Sequence, residues 1–402
     1  MDIPQISGMN VTGKRLVVRA DLNVPMSGGV IRDATRITRF ADGMRELLDK
    51  GARLVVLTHF GRPKGKVVPE LSVAQLRVAL GEALAARVAF CPVSSGPEAE
   101  RAAGALRDGE VLLCENLRFD PREESNDSGF GALLARLGDI YVNDAFSCAH
   151  RAHASTEAIA HLMPACAGPL MNEEITALQN ALEAPESPAI AIVGGAKVSS
   201  KIAVLKNLVK KLDGVIIGGG MANTFLFADG APMGASLHEP DQVETVTEIR
   251  ALAEAHECRL YLPEDVACGA EFKPGTTVSL VRAGACPEDQ MILDAGPQAV
   301  DSFKSVLDGV KTILWNGPLG AFEIPPFDKA TTELAKKAAE LTRNGKAVSV
   351  AGGGDTVSAL IHAGVKDDFT YVSSAGGAFL EWLEGKTLPG IAALMRTEIA
   401  AE

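Results

Sequence analysis

Nowhere does this chain run to the roughly 18 uninterrupted apolar residues that a membrane-crossing helix requires, so a helical membrane protein is excluded. Its first residues, with Lys14, Arg15 and Arg19 around a short strand-like run, also lack the apolar core and cleavage site of a secretory leader. The seven cysteines (Cys91, Cys114, Cys148, Cys166, Cys258, Cys268 and Cys286) are dispersed, odd in number and without a CxxC pair. That pattern argues against a zinc site or a disulfide framework, and for buried thiols in a reduced, cytoplasmic setting. No run of Lys or Arg is present and the formal charge is −12, which disfavours nucleic acid or an anionic membrane as the main partner. Aromatic residues make up only 5% of the chain, yet the 47% hydrophobic and 22% charged shares are those of a folded globular protein rather than a disordered one. No fixed-period repeat occurs, so a solenoid is excluded. Two nucleotide-binding templates are missing as well: Leu380 stands where a P-loop ending in Gly385-Lys386-Thr387 needs glycine, and no GxGxxG follows a strand.

What is present is unevenly shared. Sixteen of the 21 arginines precede residue 171, whereas the glycine turns GGAK (194–197), GGG (218–220), NGPLG (316–320) and GGGDT (352–356) all follow it. Guanidinium groups offer a planar fork of donors to carboxylate and phosphate oxygens, and consecutive glycine amides before a helix can cradle a phosphate. The two parts therefore look built for two different anions. At 402 residues the chain also exceeds what one core usually serves, and two domains of roughly 150 to 200 residues are expected.

Short β-branched runs recur at 15–19, 53–57, 111–114, 139–143, 189–193, 214–218, 312–315 and 347–351, separated by longer amphipathic stretches. This alternation predicts α/β architecture with parallel sheets, and near-continuous apolar strands imply burial on both faces. Ile37, Phe40, Met44, Leu47 and Leu48 mark one helix face; Ser72 caps a second run carrying Val73, Leu76, Leu80 and Leu84; a third helix runs from Asp328 toward Arg343. Strand signal is weakest over 165–188, which reads as an exposed helix followed by a Pro/Glu/Ser linker and marks the domain boundary.

Polar residues gather beyond the strand ends: Asp21 and Asn23, His59 and Arg62, Arg118, then His150, Arg151 and His153, with Arg36 opening the first helix. Parallel sheets bind ligands at their carboxyl edge, so these residues can converge. Taken singly, each is equally a solvated group, and Asp21 or Asn23 a turn cap. In the second part, Gly352 to Gly354 lead into Asp355-Thr356 and an apolar helix; the glycines suit a phosphate and Asp355 suits Mg²⁺, the alternative being a structural turn with Asp355 as N-cap. Lys197 and Lys201, four residues apart, share one face of a helix start and are either phosphate clamps or surface lysines.

Eight collinear segments, VRADLNVP (18–25), THFGRP (58–63), CENLRF (114–119), DAFSCAHRAHAS (144–155), VGGAKVSSK (193–201), IIGGGMANTFL (216–226), WNGPLGAFE (315–323) and AGGGDT (351–356), together resemble the phosphoglycerate kinase family over nearly the whole chain. The resemblance implies two doubly wound α/β domains: residues 1–170 binding phosphoglycerate, a hinge helix and linker at 171–188, a nucleotide-binding domain at 189–387, and a tail at 388–402 packing on the first domain. It implies reversible phosphoryl transfer from 1,3-bisphosphoglycerate to ADP, giving 3-phosphoglycerate and MgATP after hinge closure. Asp21, Asn23, Arg36, His59, Arg62, Arg118 and Arg151 match the phosphoglycerate site. Lys201, Asn316, Glu323, Gly353, Gly354, Asp355 and Thr356 match the nucleotide site, with Asp355 near Mg²⁺, and Arg36 and Lys197 flank the transferring group as catalytic residues.

The sequence departs from the family pattern at Ser200, where aspartate is common, at Glu173, where the hinge helix usually has lysine, and at Ala375 and Phe379 in a late glycine turn. A catalytically silent sensor of phosphorylated metabolites and a kinase of another acyl phosphate are the alternative functions. No long heptad or exposed strand demands a partner subunit, so a monomer is expected.

Overall fold

The computed structural model describes residues 3–395. In chain order the strands are β1 (Arg15–Arg19), β2 (Met26–Ser27), β3 (Val30–Ile31), β4 (Arg53–Leu57), β5 (Val88–Cys91), β6 (Val111–Cys114), β7 (Ile140–Asn143) and β8 (Ala165–Ala167). They continue as β9 (Ala189–Val193), β10 (Gly214–Ile217), β11 (Arg259–Tyr261), β12 (Asp265–Gly269), β13 (Ser279–Arg282), β14 (Met291–Ala295), β15 (Thr312–Asn316), β16 (Val348–Gly352) and β17 (Tyr371–Ser373).

The chain divides into two compact units, one of residues up to Ile175 together with those from Thr387 on, the other of Thr176–Lys386. In the first unit a six-stranded parallel sheet has the order β5-β6-β4-β1-β7-β8. Its central strands are buried on both faces, which is why Leu16, Val17, Val18, Leu54, Val55 and Val56 form unbroken apolar runs. The helix Thr35–Asp49 buries Ile37, Phe40, Met44, Leu47 and Leu48 as its period predicts, each such side chain stabilising the fold by roughly 1.5 to 3 kcal/mol. Ser72 accepts a hydrogen bond from the Ala74 amide at the start of the next helical run, and Val73, Leu76, Leu80 and Leu84 are buried behind it. The helix Pro389–Met395 belongs to this unit, where the Gly390 amide donates to the Ala149 carbonyl. Of the expected tail at 388–402, residues 396–402 lie outside the described residues.

The second unit holds another six-stranded parallel sheet, β11-β10-β9-β15-β16-β17, and a three-stranded antiparallel sheet, β13-β12-β14. The helix Lys329–Arg343 follows Asp328 as expected. All seven cysteines are buried and unbridged.

Two sequence expectations are corrected. Residues 165–167 are a strand rather than part of a strand-free boundary. The stretch after it is not an exposed helix: Met171, Glu174, Ile175, Leu178, Ala181 and Leu182 are buried, and their three- and four-residue spacing makes one apolar face that the surrounding glutamates obscure. Phe379, one of the departures from the family pattern, is accommodated in a helix. It lies inside the helix Gly376–Leu383, which starts after Ala375, and its ring packs over Gly352, where a Cβ would meet it at 2.7 Å.

Candidate active site

In the first unit β4, β1 and β7 are adjacent, with Arg19 in register with both Leu57 and Asn143, so the turns that follow these strands emerge side by side at the carboxyl edge. Asp21 and Asn23 lie in the first turn. Asp21 Oδ1 accepts from the Asn23 amide at 3.2 Å, the turn-capping role, while Oδ2 takes Arg36 Nη1 at 2.7 Å and the Ser147 hydroxyl. Arg36 Nη1 also donates to the Asn23 carbonyl at 3.1 Å. Capping and ion pairing therefore coexist in one carboxylate.

Asn23 Oδ1 accepts from the Gly61 amide at 3.0 Å, and the Gly61 carbonyl accepts from Arg118 Nη1 at 2.8 Å. Arg118, its side chain buried, also pairs with Glu124 at 3.3 Å. Beneath them, Asn116 holds the β4 turn by accepting from the Phe60 amide and donating to the Phe60 and Leu71 carbonyls. His59 is buried with Nδ1 at 3.0 Å from Arg19 Nη2; burial, then Arg19, Arg118, Arg36 and Arg151, push its pKa well below the ordinary imidazole value. Arg151 Nε donates to His150 Nε2 at 3.1 Å. The structure thus joins Asp21, Asn23, Arg36 and Arg118 in one bonded chain, with His59 tied to Arg19. Arg62 is exposed and its side chain joins none of these bonds. His153 turns away toward Glu123, 3.9 Å off, and burial lowers its pKa to about 4.

In the second unit β10, β9, β15 and β16 are neighbours, and each ends in one of the four glycine turns. The turns approach so closely that side chains are excluded. An added Cβ at Gly194 would sit 1.7 Å from the Pro318 carbonyl oxygen. Gly353, at φ +100, is left-handed and would place a Cβ 2.8 Å from Asn316 Nδ2. Asn316 donates to the Gly352 carbonyl at 2.8 Å, leaving its Oδ1 buried without a hydrogen-bond partner. Thr356 Oγ1 donates to the Gly352 carbonyl at 2.8 Å and accepts from the Gly317 amide at 2.7 Å. The helix Gly354–His362 begins there with Gly353, not Asp355, as its N-cap; Asp355 is exposed in the first turn.

Lys197 and Lys201 do not share a helix face, because the helix starts only at Ile202 and the preceding residues form a turn. Ser200 Oγ donates to the Lys197 carbonyl, while the Ser199 amide and hydroxyl donate to Glu239. Lys197 is left exposed. Lys201 folds back to donate to the Gly194 carbonyl at 2.6 Å and the Asn316 carbonyl at 3.0 Å, and burial lowers its pKa to about 8 against the opposing pull of Asp355. A cleft of about 320 Å³ lies beside these turns, lined by Gly218, Leu237, Phe272, Leu293, Glu323 and Asp355 among others. Of the residues matched singly to the nucleotide site Glu323 and Asp355 line it, and three of the glycine turns contribute Gly195, Gly218 to Gly220 and Pro318 to Gly320. Its apolar wall was not anticipated, although Leu237 and Phe272, both more than half exposed, are the sort of apolar surface that a ligand covers.

Among the described residues no group of three His, Cys, Asp or Glu side chains could hold a metal ion. One exposed carboxylate at a helix start fits Mg²⁺ that arrives with a nucleotide, since Mg²⁺ usually keeps its waters and binds one or two carboxylates together with phosphates. The residues fit the metal as part of the substrate rather than as a resident ion.

Guanidinium groups thus gather at the sheet edge of one unit and glycine turns at that of the other. Residues 6–386 match the family model described as phosphoglycerate kinase. The phosphoglycerate kinase of Ruegeria sp. (strain TM1040) is 56% identical over 389 residues, covering 97% of this chain and 98% of that protein. That of Methylobacterium radiotolerans is 56% identical over 385 residues, 96% of each chain. In structure, the phosphoglycerate kinase from Coxiella burnetii superposes with a TM-score of 0.92 at 39% identity, over 98% of this chain and 99% of the other. With sequence and fold in agreement, the chain belongs to the phosphoglycerate kinase family and catalyses the glycolytic transfer of a phosphoryl group between 1,3-bisphosphoglycerate and ADP.

Proposed function

We propose that the first unit binds 1,3-bisphosphoglycerate or 3-phosphoglycerate through Asp21, Asn23, Arg36, His59, Arg62, Arg118 and Arg151, and that the second binds ADP or MgATP. In the second unit Lys201, Asn316, Glu323 and Gly353 to Thr356 hold the nucleotide, Leu237, Phe272 and Leu293 cover its base, and Asp355 reaches its Mg²⁺. Transfer is in line, with Arg36 and Lys197 on either side of the moving group. The observation that carries this reading is Arg36: Asp21 and the Asn23 carbonyl fix its guanidinium, yet its side chain keeps 35% of its surface open to a ligand.

In the loose transition state of phosphoryl transfer, charge spreads over three equatorial oxygens, and positioned cations stabilise it. The attacking carboxylate of 3-phosphoglycerate is already ionised near neutral pH, so no general base is needed. Asp21 orients Arg36 instead of taking a proton. Because acyl phosphate and ADP are held by different units, the segment 171–188 acts as a hinge whose closure unites the reactants and expels water that would hydrolyse the acyl phosphate. The enzyme works as a cytoplasmic monomer. Small-angle scattering tests the closure: the radius of gyration falls when both 3-phosphoglycerate and MgATP are present, and an unchanged radius overturns it.

A further inference from the structure

Arg19 closes β1 with its side chain inside the protein, only 1% exposed. Each nitrogen of its guanidinium is engaged: Nε donates to Ser155 Oγ at 2.9 Å, Nη1 to the Ala20 carbonyl, and Nη2 to His59 Nδ1 at 3.0 Å, with Cys148 Sγ 3.6 Å from the same nitrogen. Ser155 in turn donates its hydroxyl to Glu123 Oε1 at 2.6 Å and its amide to Oε2 at 2.9 Å, while its carbonyl accepts from the Tyr141 hydroxyl at 2.7 Å. Glu123, Ser155 and Tyr141 are all fully buried. A buried cation is thus balanced by a buried carboxylate one hydroxyl away, and the pair is anchored on three separate segments.

This network has a consequence for His59. Guanidinium has five donors, no acceptor and no accessible deprotonated form. The contact at Nδ1 is a hydrogen bond only if that nitrogen presents its lone pair, so the ring proton sits on Nε2 and the ring is neutral. An imidazolium, or the tautomer protonated at Nδ1, would set N–H against N–H. The ring is faced by Arg19, by Cys148 with Sγ 4.0 Å from Nδ1, and by the charges of Arg118, Arg36 and Arg151, none of which favours a second proton.

We infer that Arg19 is a positioning residue that acts through His59: with Ser155 and Glu123 behind it, it fixes His59 as a neutral donor whose Nε2–H alone is available to an anionic oxygen of phosphoglycerate. The inference rests on the proposed membership of His59 in that site. It gives the imidazole a definite task. A neutral donor adds a directed hydrogen bond beside the arginines without offering a proton to the carboxylate that must attack, so the nucleophile keeps its charge.

The test is a two-bond ¹H–¹⁵N spectrum of histidine-labelled full-length enzyme between pH 5 and 8, with and without 3-phosphoglycerate. The expected His59 pattern is the Nε2–H tautomer with shifts that stay flat across this range, and with the Nε2 resonance moving when 3-phosphoglycerate binds. A His59 that titrates in the range, or carries its proton on Nδ1, overturns the role of Arg19 whatever the ligand does. A His59 of the expected tautomer that ignores saturating 3-phosphoglycerate instead overturns its place in the site, and with it the functional half of the inference. Arg19→Met should bring His59 into titration and weaken 3-phosphoglycerate binding about tenfold or more, the worth of one hydrogen bond to a charged group. Should that variant fail to fold with Glu123 left uncompensated, His59→Gln and His59→Asn decide: glutamine places an amide donor where Nε2 stood and retains most of the affinity, asparagine places its amide where Nδ1 stood and does not. Equal loss in both variants also overturns the inference.

Discussion

At the sites proposed above, the two units meet the same problem, a multiply charged phosphate, with opposite materials. The first uses long cationic side chains and must hold them still, which it does with a layer of neutral and acidic groups: Asp21 and Ser147 for Arg36, Gly61 and Glu124 for Arg118, Ser155 and Glu123 for Arg19. The second uses main chain, and holds it still by bringing glycine turns from neighbouring strands into contact so close that no methyl group fits at Gly194. A side-chain site fails gradually as its supports are removed; a main-chain site fails when anything is added. Each unit leaves a proposed catalytic cation open to solvent, Arg36 half-exposed in the first and Lys197 exposed in the second.

That contrast can be broken most directly at those two cations. Arg36→Ala or Lys197→Ala should each lower kcat by about a hundredfold or more, corresponding to roughly 3 to 5 kcal/mol of lost transition-state stabilisation, with a much smaller change in KM. Steady-state kinetics in both directions would show it, and near-normal turnover of either variant removes that residue from the chemistry. Next in size, Gly194→Ala should cost about 1 to 3 kcal/mol of stability as the turn is forced away from Pro318, and should raise KM for MgATP while leaving 3-phosphoglycerate affinity almost untouched. Thermal melts with calorimetric titration of each ligand would separate the two effects. If both ligands weaken together, the turns are not a local device.

A smaller effect is expected from Lys201. Its pKa of about 8 means that the free enzyme loses this charge as the pH rises through that value, whereas bound phosphates favour the charged form. KM for nucleotide should therefore rise on going from pH 7 to 9, with an apparent pKa near 8, and Lys201→Arg should flatten the profile. The first site has no counterpart, since arginine stays charged throughout.

Smallest is a pH effect common to both units. Asp144 accepts from the Leu170 amide at the start of the helix Pro169–Leu178, and Asp294 from the Ala330 amide in the helix Lys329–Arg343. Burial raises Asp144 to about 7 and Asp294 to about 8, against about 3.9 in an unfolded chain. The folded form then holds protons that the unfolded form has released, so stability declines as pH rises from about 4 to 7 or 8. Melting temperature should fall by a few degrees between pH 5 and 8, and Asp294→Asn should reduce the fall. A variant with the unchanged slope would mean that Asp294 is ionised in the native state.

Central strands are legible because burial on both faces makes them predominantly apolar runs, as in β1, β4, β6, β9, β10, β15 and β16, with polar residues mainly at their ends. The edge strands β8, β11 and β17 have only three residues each and β5 is for the most part half-buried, so their signals are weaker. The antiparallel sheet was illegible for a similar reason, β13 alternating burial over only four residues. Within the site, Asp21, Asn23 and Arg118 could be picked out because they sit past strand ends. Arg19 could not, because as the last residue of an apolar run it reads like the flank of a strand, and burial of its charge depends on Ser155, 136 residues away. The spacing of Lys197 and Lys201 misled because four residues suit a turn as well as a helix.

The seven enclosed thiols open an experimental route. All seven are buried, and burial raises Cys166 and Cys258 to about 12 and pushes Cys91, Cys114, Cys148 and Cys268 likewise upward, so the native chain shields its thiols from maleimides. One cysteine introduced on the outside of each unit would be labelled against a silent background. Fluorophore or nitroxide pairs could then follow the separation of the units during turnover, without first replacing any cysteine of the wild-type enzyme.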